Sequence, residues 1–256
     1  MDIQYSQPLE RCQPKWRGLV DSGLTAAARV LWRSRCVLCH RPGASSADLC
    51  NLCERDLLLN TDYCRICAQP LAENTGQSRV CGGCVRKQPL FDASFVPYRY
   101  AYPLDRMIQR LKYGNDLSSG RVLGQCFYQR LIVTRTARLP EALLPVPLGI
   151  QRFRKRGYNQ AIELARHVAT RSGIPLRMDI VARIRETQEQ ASLPREERRK
   201  NVKGAFALIK PLAYAHIAIL DDVVTTGTTV NEIARVLRRA GAETIEVWAI
   251  ARAGRK

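Results

Sequence analysis

The sequence predicts an α/β fold, a parallel sheet flanked by helices and preceded by a small cysteine-rich module. Three observations predict it. From about residue 93 onward, short β-branched runs alternate with longer segments of helical period, the pattern of parallel strands joined by crossover helices. One of these runs, Ile217-Ala-Ile-Leu220, is apolar throughout and ends in two adjacent acids, Asp221 and Asp222. A strand buried on both faces reads this way, and open α/β sheets bind ligands at the carboxyl ends of such strands. Finally, eight of the ten cysteines fall into four Cys-x-x-Cys pairs between residues 36 and 84.

Length and composition bound the answer. A chain of 256 residues holds one α/β domain and a small accessory module. Its 46% apolar and 25% charged residues are ordinary for a globular protein. The net charge of +18 is not, and it favours polyanions: nucleic acid first, polyphosphorylated metabolites second, an anionic membrane surface third. No run approaches the roughly 20 apolar residues that span a bilayer. The N-terminus carries Asp2 and Glu10 and no apolar core of signal-peptide type. A cytoplasmic location is therefore expected.

The cysteine pairs are Cys36/Cys39, Cys50/Cys53, Cys64/Cys67 and Cys81/Cys84. In a reducing compartment they mean metal rather than disulfides. Each pair can form a knuckle that presents two thiolates, and two knuckles close one tetrahedral structural zinc site. Two zinc ions are thus expected. Pairing in order and pairing first with third, second with fourth are both open to the spacing. His40 and Asp48 lie in the first loop, but a full thiolate site does not need them. Large apolar residues are few here, so metal must supply much of the folding energy. The flanking short polar loops argue against a thioredoxin-like dithiol.

Taken in order, the predicted units are an N-terminal extension over 1–35, a double zinc ribbon over 36–88 and an α/β domain over 89–256. A short amphipathic helix fits 23–32. After Pro89, a strand is expected over 93–100, then helices over 102–113 and 117–135, the first stopped by Gly114-Asn115. A short strand over 142–146 is closed by Pro147. Next comes a basic loop, 151–160, with Arg152, Arg154, Lys155 and Arg156, leading into a helix over 160–172. A charge run is usually a solvated face. This one follows a strand end on the ligand side and contains Gly157 and Asn159, which permit tight turns. A strand over 178–184 leads into a polar, charged segment, 185–203, suited to a mobile flap. Residues 151–203 hold 14 Lys+Arg against 6 Asp+Glu, a net of +8. Strands over 204–208, 216–220 and 244–250 and a helix over 228–240 complete the sheet.

Beyond the two acids the chain reads Val224-Thr-Thr-Gly-Thr228. Hydroxyls and a glycine at a helix N-terminus offer free N–H donors and a positive dipole end to a phosphate. Adjacent carboxylates can accept hydrogen bonds from vicinal sugar hydroxyls. Together they suggest a phosphorylated sugar. No Lys follows the last glycine, so this is not a Walker loop. The run resembles the 5-phosphoribosyl-1-pyrophosphate (PRPP) motif of type I phosphoribosyltransferases. That resemblance implies Asp221 and Asp222 on the ribose hydroxyls and Val224, Thr225, Thr226, Gly227 and Thr228 around the 5′-phosphate.

The chain from Cys36 onward resembles the ComF family. The resemblance is carried by the cysteine pairs, Leu111-Lys-Tyr113, Leu144-Pro-Val-Pro-Leu148, Arg156-Gly-Tyr-Asn-Gln160, Arg183-x-x-x-Thr187-x-x-Gln190, Arg198-x-x-Asn201, Ala205-Phe206 and the run over 219–229. It implies a type I phosphoribosyltransferase-like parallel sheet preceded by zinc ribbons, and a role in natural competence or in the use of external DNA. If phosphoribose is transferred, pyrophosphate leaves C1 through an oxocarbenium-like state, and Mg²⁺ travels with PRPP. Asp221 and Asp222 would carry the chemistry, and Arg152, Arg154, Lys155 and Arg156 would meet the pyrophosphate. Lys112 and Arg198 would close over it. The acceptor is not written in the sequence. The competing reading is a non-catalytic protein that handles single-stranded DNA, contacts a DNA-processing partner, or senses PRPP as an adaptor.

Overall fold

The structure, a computed structural model, describes residues 35–43, 48–71, 79–187 and 200–254. The expected helix over 23–32, the middle of the charged segment over 185–203 and Arg198 lie outside the described residues. So does most of the N-terminal extension.

Among the described residues, seven strands form two sheets. The larger contains β1 (Ala93–Phe95), β2 (Tyr98–Arg99), β3 (Ala142–Pro145), β6 (His216–Val224) and β7 (Thr244–Arg252). Its order is β1-β7-β6-β3, with β2 also pairing β7, and every pairing is parallel. The second sheet is an antiparallel pair, β4 (Val181–Arg183) and β5 (Phe206–Leu208). The expected single strand over 93–100 is two strands, because Val96 and Pro97 interrupt it. Proline cannot donate to a ladder, and the Pro97 carbonyl instead accepts the N–H of Asn60 at 2.8 Å.

The central strands are apolar because both of their faces are covered. Ile217, Ala218, Ile219 and Leu220 of β6 and Ile245, Val247, Trp248 and Ala249 of β7 are all buried. Helices α3 (Leu104–Tyr113), α4 (Leu117–Thr134) and α6 (Gln160–Ser172) supply much of the cover, and α7 (Thr228–Arg239) packs on β6 and β5. Asp116 caps α4 by accepting the N–H groups of Ser118 and Ser119, and Asn159 caps α6 through the N–H of Ala161. Gly173, in the left-handed conformation at φ 73°, ends α6.

Residues 151–156 are not the loop the charge run suggested. They form a helix, α5 (Ile150–Arg156), ended by Gly157 at φ 78°. None of its residues is buried, which is why no apolar stripe announces it in the sequence. The ribbon module carries two more short helices, α1 (Asn51–Arg55) and α2 (Gly82–Arg86), each beginning just after a cysteine. It docks on the edge of the main sheet: Leu59 bridges Tyr98, the Arg99 N–H reaches the Leu58 carbonyl, and Ser94 donates to the Ile66 carbonyl at 2.5 Å.

Candidate functional site

Strand β6 runs four residues past its neighbour. The last register pair with β3 is Pro145–Leu220, closed by the Val146 N–H on the Leu220 carbonyl, whereas β7 follows β6 to Val224. The strand therefore does not stop at the acids, as the sequence suggested. The acids lie where β3 has ended, and the phosphate-loop candidate begins where β6 ends.

Asp222 is buried, and the Lys112 ammonium lies 2.9 Å from its Oδ2. Helix α3 brings Lys112 in from its last turn. The N–H of Asp222 donates to Asp221 Oδ1, and the N–H of Val223 donates to Asp222 Oδ1. Burial, and then the like charge of Asp222, push the Asp221 carboxyl up to about 7, against the pull of Lys112. Burial alone would pull Lys112 down, but the Asp222 and Asp221 carboxylates hold it above its ordinary value. The result is two carboxylates sharing one cation, one of them close to neutrality in titration.

Gly227 caps α7 in the left-handed conformation at φ 75°. The Thr226 and Thr228 hydroxyls share a 2.7 Å hydrogen bond across it, and the Asn231 N–H closes the first turn on the Gly227 carbonyl. The loop thus presents a helix N-terminus beside two hydroxyls, a few residues beyond the acids, the arrangement that holds a phosphate.

Helix α5 borders the site. Arg156 stacks over the Tyr113 ring at 5.0 Å, and the Tyr158 hydroxyl donates to the Leu111 carbonyl, so α5 is tied to the end of α3 that carries Lys112. Arg152 donates to the Thr187 carbonyl at 3.1 Å. Arg154 and Lys155 are exposed. Of the predicted residues, Lys112, Asp221 and Asp222 come into direct contact or adjacency, with residues 224–228 following on the same chain.

Two further arginines escaped the sequence reading as site residues. Arg183 donates to the Thr187 hydroxyl, and its buried Nε has no acceptor among the described residues. Burial, then the nearby Arg152, pull it down to about 10, with Glu186 and Asp221 acting in the opposite direction. The spacing Arg183-x-x-x-Thr187 was the available signal. Arg252, at the end of β7, is buried against the loop and had no local signal at all.

The cysteines form two tetrads, Cys36/Cys39/Cys50/Cys53 and Cys64/Cys67/Cys81/Cys84, with all Sγ atoms of a tetrad within 4.8 Å of one another. This settles the pairing as in order. Cys39 and Cys50 Sγ are 3.6 Å apart, and so are Cys67 and Cys81 Sγ. A tetrahedral zinc with about 2.3 Å bonds needs roughly 3.8 Å, so both donor sets fit zinc. In the first knuckle the Cys36 N–H binds the Arg41 carbonyl and the His40 N–H binds the Cys36 carbonyl. In the leading knuckle of the second tetrad the Cys64 N–H binds the Gln69 carbonyl and the Ala68 N–H binds the Cys64 carbonyl, the same pattern. His40 and Ala68, four residues after the leading cysteines, both adopt positive φ, 61° and 55°. Burial raises the Cys36 thiol, but N–H groups of Cys39 and Cys50 outweigh it and lower it to about 6. Asp48 is not a ligand; it pairs with Arg121 and pins the first ribbon to α4.

Comparison with known proteins agrees with this architecture. Residues 27–85 match the double zinc ribbon domain, and residues 155–256 match the phosphoribosyl transferase domain. Competence protein F of Haemophilus influenzae is 39% identical over 178 residues, 67% of this chain and 78% of that protein. The chain belongs to the ComF family. DNA utilization protein YhgH of Escherichia coli K12 is 33% identical over 174 residues, 67% of this chain and 77% of that one. The ComF chain described here has the type I phosphoribosyltransferase fold preceded by a zinc-ribbon module. Solved phosphoribosyltransferases overlap only loosely. The hypoxanthine-guanine enzyme of L. donovani gives a TM-score of 0.29 at 14% identity over 52% of this chain and 69% of that one. The purine enzyme of Pyrococcus horikoshii gives 0.29 at 13% over 51% and 80%. No helix among the described residues is long and apolar enough to cross a membrane.

Proposed function

We propose that this chain binds PRPP at the carboxyl end of β6 and acts in the uptake or use of external DNA, passing the phosphoribosyl group to an acceptor. One observation carries the reading: the Asp221–Asp222 pair, held by Lys112, lies directly before a left-handed glycine loop that opens α7. In this reading Asp221 and Asp222 accept the ribose 2- and 3-hydroxyls. The N–H groups and hydroxyls over 224–228 take the 5′-phosphate, and Arg152, Arg154, Lys155 and Arg156 face the pyrophosphate. Arg198 and Lys112 close over it. Mg²⁺ bound to the pyrophosphate would neutralise leaving charge. The chain's own residues hold the sugar in place and keep positive charge beside the departing group. The names of the relatives, competence protein and DNA utilization protein, supply the pathway. Calorimetry with PRPP and Mg²⁺ tests the reading. Wild-type protein should bind, and replacing both acids by Ala should weaken binding at least about 100-fold. A wild-type protein that does not bind PRPP rejects it. Release of pyrophosphate with a defined acceptor would establish transfer; saturable binding without release would leave a PRPP-sensing adaptor.

A second reading, contact with single-stranded nucleic acid, has its own support. Tyr113 and Phe153 are 65% and 42% exposed beside Arg154, Lys155 and Arg156. Exposed aromatic rings interleaved with cations suit stacked bases and phosphates. The two readings are compatible, since both ligands are polyanions.

A further inference from the structure

Arg252 is 2% exposed, yet it carries a charge into the interior. Its guanidinium donates to four main-chain carbonyls. Nη1 reaches Val224 at 2.8 Å, Ala253 at 2.9 Å and, still closer, Thr225. Nε reaches the Cys67 carbonyl at 2.9 Å. Val224 and Thr225 open the phosphate-loop candidate, and Cys67 is a ligand of the second tetrad. One rigid, planar group, 185 residues from Cys67 in sequence, therefore joins a metal-ligating residue to the loop.

We propose that Arg252 is a positioning residue that couples zinc occupancy of the second tetrad to the geometry of the phosphate loop. The coupling rests on the PRPP reading for its functional consequence, though not for its existence. Cys67 sits in a knuckle whose turn places buried Ala68 at positive φ, a conformation that alanine does not favour by itself. Few apolar side chains hold this ribbon, so a metal bridging Cys64, Cys67, Cys81 and Cys84 fixes the knuckle. With the knuckle fixed, the Cys67 carbonyl is a stationary acceptor. The Arg252 fork is planar, so anchoring Nε sets the plane in which Nη1 holds Val224 and Thr225. When the tetrad opens, Arg252 loses that anchor and the loop its alignment. Among the described residues the first tetrad shows no such path: its ribbon is tied to α3 and α4, through the Val37 carbonyl to Arg110 and through Asp48 to Arg121.

Paired tetrad variants of the full chain test this. Cys81→Ser with Cys84→Ser empties the second tetrad without touching Cys67; Cys39→Ser with Cys50→Ser empties the first. Zinc content is verified by native mass spectrometry. Hydrogen exchange of amides 224–229 is expected to quicken about tenfold in the first of these variants and not in the second, and Arg252→Met should reproduce the effect. PRPP affinity should fall in parallel by about tenfold. Because Nη1 still holds the Val224 and Thr225 carbonyls, adding Arg252→Met to the emptied second tetrad should cost less than it costs the wild type, and Arg252→Lys should restore part of the protection. Equal quickening from both tetrads, or none from the second, overturns the coupling. Should Arg252→Met fail to fold, the two tetrad variants still decide. If wild-type protein binds no PRPP, the proposed function fails, while the exchange data test the coupling separately.

Discussion

The Asp221 carboxyl is pushed up to about 7 because burial, and then the like charge of Asp222, disfavour its ionised form, and Lys112, 2.9 Å from Asp222, offsets them only in part. A carboxyl raised in the folded state binds its proton more tightly there than in the unfolded chain. Its contribution to stability is present below about pH 4 and is lost as pH rises through about 7. Asp221→Asn removes that loss while keeping the shape. Urea unfolding should show the variant gaining on wild type by about 1 kcal/mol for each unit between pH 5 and pH 7. A constant difference across that window would mean that Asp221 is an ordinary carboxylate. The acid pair was readable in the sequence because its meaning is local: two acids after a buried strand. Arg252 was not, because nothing in Ile-Ala-Arg252-Ala-Gly distinguishes a buried strand-end arginine from a solvated one, and its partners Cys67, Val224 and Thr225 lie on other segments.

The unit that carries the candidate site is the strand–loop–helix formed by β6 and α7, and its sequence signature is complete. Gly227 is the position where a side chain is refused by backbone conformation rather than by space, since the nearest atom to an added Cβ is 4.0 Å away. At φ 75° an alanine costs about 1 kcal/mol. Gly173, at φ 73° and at the far end of α6, is a matched control. Both Gly→Ala changes should lower the unfolding free energy by a similar amount. Only Gly227→Ala should also weaken PRPP binding, by tenfold or more, because relaxing its φ turns the loop N–H groups aside. Equal PRPP affinity in the two variants would detach the loop from the ligand. Periodicity located the remaining strands and long helices. It failed for α5, whose seven residues bury no face, and for the strand over 93–100, split at Pro97. Short elements held by side-chain ties to other segments, such as Arg156 on Tyr113, leave no repeating pattern to read.

At the scale of the whole molecule, the ribbons and the sheet form a continuous structure. The cysteine spacing revealed two tetrads but not their pairing, which depends on how the knuckles face one another in space. Nor did it reveal that the second ribbon is hydrogen-bonded to β1 and Arg252. The charge of +18 was visible at once, yet charge alone does not say where a polyanion lies. The fold places Arg152, Arg154, Lys155 and Arg156 on one short helix, with Tyr113 and Phe153 beside them. If single-stranded DNA follows this helix, its phosphates and its bases are held by separable groups. Four phosphate contacts give a slope of about −3 in log affinity against log salt. Arg154→Ala with Lys155→Ala should reduce that slope by about 1.4 and weaken binding to all sequences alike. Tyr113→Ala should weaken binding by about 1–3 kcal/mol and leave the slope nearly unchanged, because stacking releases no counterions. Fluorescence anisotropy with a labelled oligonucleotide across a salt series reads both quantities. A salt slope untouched by the double α5 change would move the nucleic-acid surface off this helix, and the basic ribbon residues Arg65 and Arg86 would be the next to replace.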